Sequence, residues 1–190
     1  MFLPKDKEPK LSPEMENIIN RSIDEKNSNN YDDIFRYKYK IMNKLTSNQD
    51  LLRTLHNDEL EGSDNVINGD LYRNVNIFDF MKIPESEDKV KNYVCFEVND
   101  FGYGDMVNKK IVFRTVSHID DCETDWGISR QDLLASIIKN EFDWSNVFGM
   151  HIEKENDSGY VSNNNYYYRE ITYKTITPNN IHNKINNKFR

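Results

Sequence analysis

The sequence predicts an α+β fold, in which a helical first third is followed by a β-β-α-β-β segment that forms a mostly antiparallel sheet. Two patterns indicate this. Apolar residues recur at helical spacing as far as about residue 55, whereas from residue 92 onward they alternate with polar residues, as in half-buried strands. One strong helical pattern lies between the strands, which is typical of a helix packed on one face of the sheet.

The first third contains three predicted helices. The first follows Ser12, a possible cap, and Pro13 suits the first helical position because that position needs no N–H donor. The polar run NSNN ends this pattern. Residues 31–48 then place an apolar side chain every three or four positions, and a short helix follows a cap at Ser47 or Asn48. The apolar positions of the second helix are Ile34, Tyr37, Ile41 and Leu45.

Two segments of weaker pattern lead to the strands. Residues 59–70 have the composition of a loop. Residues 74–89 hold one apolar group followed by Pro84 and acidic residues, so we predict an irregular segment. The side chains expected to pack locally there are Ile77, Phe78 and Phe80.

Alternation predicts two strands, 92–100 and 110–119, which are joined by a glycine-containing turn at 101–105. In each strand the apolar residues occupy every second position, so each strand has one face that suits a core. The residues that share such a face are Val94, Phe96 and Val98 in the first strand, and Ile111, Phe113 and Thr115 in the second.

The clearest helix of the chain is predicted over residues 130–142. Ser129 and Asp132 match the S-x-x-D pattern of a capping box, in which each side chain binds a free backbone N–H. An apolar stripe follows, formed by Leu133, Leu134, Ile137 and Ile138.

Two more strands are predicted after this helix. The first ends at the turn-like run NDSG, residues 156–159. The second covers 163–178 and alternates two rows of side chains until Pro178 stops it. The domain organisation is therefore a flexible arm (1–12), a helical segment (13–60), an α+β domain (61–178) and a polar, basic tail (179–190).

Charge and cysteine content narrow the class of protein. The net charge of −7 argues against a general nucleic-acid binder, because neutralising phosphates requires clustered Lys and Arg. Cys95 and Cys122 are predicted to be free thiols in a reducing compartment. No window is apolar enough for a signal peptide or a membrane span, so we expect a soluble protein made in a cytoplasm, with no membrane partner.

The stretch from His118 to Asp125 holds the densest group of chemically capable side chains. Carboxylates with an imidazole bind hard metals, so a metal-dependent hydrolase using His118, Asp120, Asp121 and Glu123 is one hypothesis. Cys122 with His118 as a base is less favoured, because no oxyanion-forming turn follows.

Three observations favour a structural role for these acids. Asp120 and Asp121 would point in opposite directions in an extended segment, and no matching half-site occurs elsewhere. Acids just before a helix N-terminus also interact favourably with the helix dipole, by about 0.3–1 kcal/mol each. We therefore predict no catalytic residue, no bound metal and no cofactor.

The order of these elements resembles tail terminator (tail-completion) and related neck proteins of tailed bacteriophages. The similarity covers roughly 90–178, from KKIVFRTVSHI through ISRQDLLASIIKNEF and FGMHIEKE to YYYREITYKT. Its most recognisable part is an R-x-D-x-x-A motif before an apolar helix, formed by Arg130, Asp132 and Ala135. The resemblance implies a structural virion protein of the head–tail connector, in which usually six copies form a ring that joins the tail tube or sheath to the head. It also implies other neck, portal-adaptor and tail proteins as partners.

A ring of this kind needs contact surfaces, and the sheet edges and terminal arms are the expected ones. An acidic protein can also line a DNA channel without sequence-specific binding, because negative walls repel phosphates. The predicted interface residues are Asp120, Asp121 and Glu123 in the loop, Tyr166, Tyr167, Tyr168 and Arg169 in the last strand, and Lys184, Lys188 and Arg190 in the tail.

Overall fold

The computed structural model has the predicted α+β architecture, with helices first and then a mostly antiparallel sheet with one further helix. Residues 1–11 of the predicted arm, the glycine turn and the basic tail with Lys184, Lys188 and Arg190 lie outside the described residues. The described residues are 12–23, 33–61, 66–84, 91–101, 108–143, 145, 151–162 and 165–175. The helices are α1 (Pro13–Ile23), α2 (Asp33–Ser47), α3 (Gln49–Leu55) and α4 (Arg130–Phe142), and the strands are β1 (Ile77–Phe78), β2 (Asn92–Phe101), β3 (Asn108–His118), β4 (Ile152–Val161) and β5 (Tyr166–Thr175).

Helices α1 and α3 begin where polar side chains cap them. Ser12 Oγ accepts the Met15 N–H at 3.3 Å, and Asn48 Oδ1 accepts the Leu51 N–H at 3.0 Å, which confirms both predicted caps. The chain then passes close to α2 at Gly69, where a Cβ atom would lie 1.8 Å from the carbonyl oxygen of Thr46. Only glycine fits this approach.

The five strands form one sheet in the order β1-β2-β3-β5-β4, and only the β1–β2 pair is parallel. The prediction that residues 74–89 are irregular was wrong for Ile77 and Phe78, which pair with Val94 and Cys95. Two residues are too few to show the alternating pattern of a strand. Ile77 and Phe78 pair with β2 because its backbone is otherwise unpaired on the side away from β3. Phe80 lies 5.4 Å from Phe78, ring to ring, in the predicted local contact.

Strand β4 continues through the run NDSG, so the predicted turn at 156–159 was wrong. A bulge between Lys154 and Asn156 shifts its register against β5. Because β4 is an edge strand of the sheet, this run needs to pair on one side only, and Asn156, Ser158 and Gly159 are exposed. The chain reverses after Val161 instead, where Asn165 has φ 62°.

The two faces of the sheet have separate cores. On one face, α2, α3 and α4 pack against β2, β3 and β5, so the helical first third and the sheet share one hydrophobic core. The predicted faces of the strands are confirmed. In α4, Leu134 and Ile138 are fully buried and Phe142 packs 4.8 Å from Phe113, whereas Leu133 of the predicted stripe is only half-buried. The core of the opposite face consists of Phe78, Tyr93, Cys95, Val116, Tyr166 and Tyr168.

Two further predictions have outcomes in the fold. Both cysteines are free, as predicted: Cys95 is buried and Cys122 is half-buried. Burial raises the pKa of the Cys95 thiol to about 11. Across the part of the chain that the structure describes, every helix is too short or too polar to cross a lipid bilayer.

Candidate functional site

The acidic stretch lies in the loop that joins β3 to α4, and this loop starts as a turn of 3-10 helix over Ile119–Asp121. The expectation of an extended segment was therefore wrong. His118 Nδ1 accepts the Asp120 N–H at 3.2 Å, which caps the turn. The turn separates the two neighbouring aspartates and gives them different surroundings.

Asp121 is held by side chains from three other elements. Its carboxylate accepts a hydrogen bond from Asn92 Nδ2 at 2.6 Å and from Arg130 Nη2 at 3.0 Å, and it lies 3.0 Å from His56 Nδ1. We call these four residues the Asp121 joint. Only 17% of the Asp121 side chain is exposed.

Arg130 completes the joint through backbone contacts. Its Nε donates to the Asp121 carbonyl at 2.7 Å, and its Nη1 donates to the Thr54 carbonyl at 3.1 Å. Only 11% of the Arg130 side chain is exposed. The joint thus fixes the start of α4 to the end of α3 and the start of β2, and this is a structural use of the acid in the loop.

The remaining acids of the loop face solvent. Asp120 is 61% exposed and lies 3.3 Å from His118 Nδ1 and 3.7 Å from Lys91 Nζ. Glu123 and Asp125 are also exposed. Beside the joint lies an open cleft of about 300 Å³, and its lining residues are His56, Asn57, Asp58, Glu59, Lys91, Asp120 and Asp121.

This geometry does not support the metal-dependent hydrolase. Among the described residues, no three side chains of His, Cys, Asp or Glu converge as metal ligands. Asp121 is already bound to three partners, and Cys122 Sγ is directed to the Ile119 carbonyl at 3.3 Å. We therefore interpret the cluster as an anchor at Asp121 beside an exposed acidic segment.

Ser129 and Asp132 meet at the start of α4 without forming the predicted capping box. The Ser129 hydroxyl donates to Asp132 Oδ2 at 2.5 Å, and the Ser129 side chain makes no bond to a backbone N–H. Asp132 is drawn away from the backbone because it also accepts a hydrogen bond from Arg169 Nη1 at 2.7 Å. The position of the cap was right and its bonding was wrong.

The predicted interface residues of β5 are largely engaged inside the chain. Tyr166 is 1% exposed, Tyr168 is 8% exposed, and Tyr167 is half-buried. Arg169 binds Asp157 through two hydrogen bonds, of 2.7 and 3.1 Å. These bonds, with a further one from Lys139, lower the pKa of the Asp157 carboxyl to about 2. Arg169 thus ties β4, β5 and α4 together.

Sequence reasoning missed two kinds of residue. His56 and Asn92 contact Asp121 from 65 and 29 positions away, so no local pattern points to them. The exposed apolar side chains near the loop were also not predicted, because each is a single apolar residue among polar ones in the sequence. Within the described residues, five such side chains lie at this end of the sheet: Ile119, Trp126, Ile128, Tyr160 and Val161.

Comparison with known proteins places the chain in a family. The model of the YomW family matches residues 48–175, which run from the cap of α3 to the end of β5 and make up about two thirds of the chain. None of the curated proteins matches it. The chain therefore belongs to the YomW family, a phage-associated family.

Proposed function

We propose that this chain is a structural, non-catalytic protein of the phage particle, and that copies of it form a tail-terminator-like ring at the head–tail connector. Membership of a phage-associated family supports its place in a phage. The resemblance over residues 90–178 supports the position at the neck. The same proposal includes a ring of six copies, with other neck, portal-adaptor and tail proteins as its neighbours. It also includes an acidic channel wall that leaves DNA free to slide.

The exposed apolar side chains at one end of the sheet carry this proposal. Trp126 is 72% exposed, Val161 is 65% exposed and Tyr160 is 44% exposed. Tyr160 stacks on Tyr168 at 5.0 Å with an interplanar angle of 3°, so its ring is held in place. Exposed apolar groups rimmed by polar residues mark protein contact sites, and tryptophan and tyrosine are enriched among the residues that dominate such contacts.

The edge strand β4 supports assembly through this same end. Its first half carries Glu153, Lys154 and Glu155, and charges of this kind protect an edge from uncontrolled pairing. Residues 158–161 carry no charge. Contacts are therefore favoured near Val161 and disfavoured near Ile152.

A contact between the acidic loop of one copy and the basic tail of another also fits an assembly. Tyr166 pairs with His118 beside the loop, and Lys174 pairs with Lys110, so β5 ends at the far end of the sheet. Because a strand rises about 3.3 Å per residue, that end lies about 30 Å from the loop. Head-to-tail neighbours bring such opposite ends together. We propose that Lys184, Lys188 and Arg190 meet Asp120 and Glu123 of the next copy.

Mass measurement by light scattering after size-exclusion chromatography, with electron microscopy of the same fractions, tests the proposal. We expect a closed ring, and we expect antibodies against the chain to label the neck of intact particles. A chain that stays monomeric at all concentrations and is absent from purified particles contradicts it.

The same preparation separates the proposal from the hydrolase. Addition of Mg²⁺, Mn²⁺ or Zn²⁺ is expected to leave the unfolding temperature unchanged. A stoichiometric metal that is lost in Asp120→Asn would instead support a metal-dependent enzyme.

A further inference from the structure

A second open cleft lies between helix α2 and the segment that leads into and out of β1. Its volume is about 260 Å³. Phe35 and Tyr39 are each 43% exposed there, so aromatic surface faces solvent. The residues that line the cleft are Phe35, Lys38, Tyr39, Met42, Arg73, Asn74 and Asp79.

The walls of this cleft are fixed by hydrogen bonds. Lys38 Nζ donates to the Asp79 carbonyl at 2.7 Å, and Arg73 Nη2 donates to Asn43 Oδ1 at 2.7 Å. Both bonds join α2 to the segment around β1. The cleft is therefore formed before any partner binds, which reduces the entropy lost on binding.

The cleft lining carries two basic side chains, Lys38 and Arg73, and one acid, Asp79, although the chain as a whole has a net charge of −7. Lys38 belongs to α2 and Arg73 to the segment that leads into β1, so each wall of the cleft contributes one cation. A partner that places an apolar group in the cleft and carboxylates beside it would match both properties.

The loop between β3 and α4 presents that combination. Residues 119–128 carry four acids and no basic residue, and the Asp121 joint uses one of the four. We call residues 123–128 the Trp126 tip. Trp126 stands in a turn closed by the bond from the Gly127 N–H to the Thr124 carbonyl at 3.1 Å. Gly127 has φ 68°, a conformation that suits glycine.

The tip cannot serve the cleft of its own chain. The Asp121 joint fixes the loop to α3 and β2, and Trp126 stays 72% exposed without lining the cleft. The two surfaces share no residue, so each copy can offer a tip to one neighbour and a cleft to another. Such heterologous contacts produce rings when the rotation closes.

We propose that the Trp126 tip of one copy inserts into the α2 cleft of the next copy, with Asp125 facing Lys38 and Arg73 of the cleft walls. This inference names the contact that builds the ring, and so it rests on the function proposed above. A single Trp side chain removes about 150–250 Å² from water on burial, which makes Trp126 the dominant contact of the tip.

Two variants of the full-length chain test the contact. Trp126→Ala removes the tip, and Tyr39→Glu places a carboxylate in the cleft, where it repels the acidic tip. Each is expected to raise the dissociation constant for assembly at least about tenfold, because residues of this kind dominate interface energies. Trp126→Phe and Tyr39→Phe are the matched controls and should assemble close to normally. Circular dichroism and the unfolding temperature show that each variant is folded.

Mixing the two variants gives the sharper result. A Trp126→Ala copy keeps its cleft and a Tyr39→Glu copy keeps its tip, so one intact contact remains between them. We expect a 1:1 heterodimer that grows no further, measured by light scattering. Normal assembly of either variant, or no heterodimer in the mixture, overturns this inference while the ring itself stands. A wild-type chain that remains monomeric overturns the proposed function as well.

Discussion

The loop between β3 and α4 takes part in two regions of opposite behaviour, the Asp121 joint and the Trp126 tip. The Asp121 joint contains a carboxylate that is 17% exposed and bound from three directions, whereas Asp120, its neighbour in sequence, is 61% exposed. The Trp126 tip, five residues further on, exposes 72% of an indole. The difference shows that one acidic stretch can divide into a part that holds the fold and a part that is available to a partner.

The comparison also explains why the stretch resembles an active site. Acids, a histidine and a cysteine lie within a few positions, but Asp121 is bound in the joint, His118 and Cys122 are half-buried, and the other acids face solvent. Variants in the two regions should therefore affect different properties. Changes in the joint should alter the free energy of unfolding, and changes in the tip should alter assembly.

The largest effect is expected from Asp121→Ala. It leaves Arg130, which is 11% exposed, without its charge partner, and loss of one member of a largely buried pair costs about 3 kcal/mol or more. Urea unfolding measures the change. Asp120→Ala is the matched control and should cost less than about 0.5 kcal/mol. Equal effects in the two variants would show that the joint does not anchor the loop.

Asp157 should make stability depend on pH in the acid range. Its pKa in the folded chain is about 2, below the usual 3.8, so its contribution is complete above about pH 4 and is lost as the pH falls toward 2. Asp157→Asn should cost about 2 kcal/mol at neutral pH, since it removes charge-assisted hydrogen bonds. Unfolding curves between pH 2 and 6 should show a shallower decline in the variant than in the wild type. Parallel declines contradict this assignment.

A smaller effect is expected from Ser129→Ala. A full N-cap contributes about 1 kcal/mol, but Ser129 bonds Asp132 and not a backbone N–H, so we expect a loss of about 0.5 kcal/mol. Asp132→Ala is the informative comparison, because it removes the contact to Arg169 as well. A loss above about 1 kcal/mol in Ser129→Ala would indicate backbone capping.

The smallest effect on folding is expected from Asp120→Asn combined with Glu123→Gln. Both side chains are exposed, so the unfolding free energy should change by less than about 0.5 kcal/mol. Assembly should weaken at low salt and change little at high salt, because exposed ion pairs are screened. The sequence alone also suggested Asp121 as an interface residue. Neutralising Asp121 together with the other two would break the joint, so that a loss of assembly would not report on the interface alone. Unchanged assembly at low salt excludes these two acids from the interface.

The pattern-based part of the fold was predictable. Alternation placed Val94, Phe96, Ile111 and Phe113 in the core of the helix side, and the stripe of α4 placed Leu134 and Ile138 there. The pattern failed at β1 because a strand of two residues is too short to show alternation. It also failed at 156–159 in β4, where turn-favouring residues lie on an edge strand. For the candidate site, the sequence located the loop and the start of α4 but not what either contacts.

The sequence by itself determined the periodic elements, because the spacing of side chains along a helix or strand is set by local backbone geometry. It also determined the net charge and the acidic character of the loop. Only the tertiary structure decided that Asp121 is an anchor and Asp120 is not, because His56 and Asn92 come from distant parts of the chain. The physical reason is that hydrogen bonds and burial depend on which side chains meet in space, and neighbouring residues in one turn can meet entirely different partners.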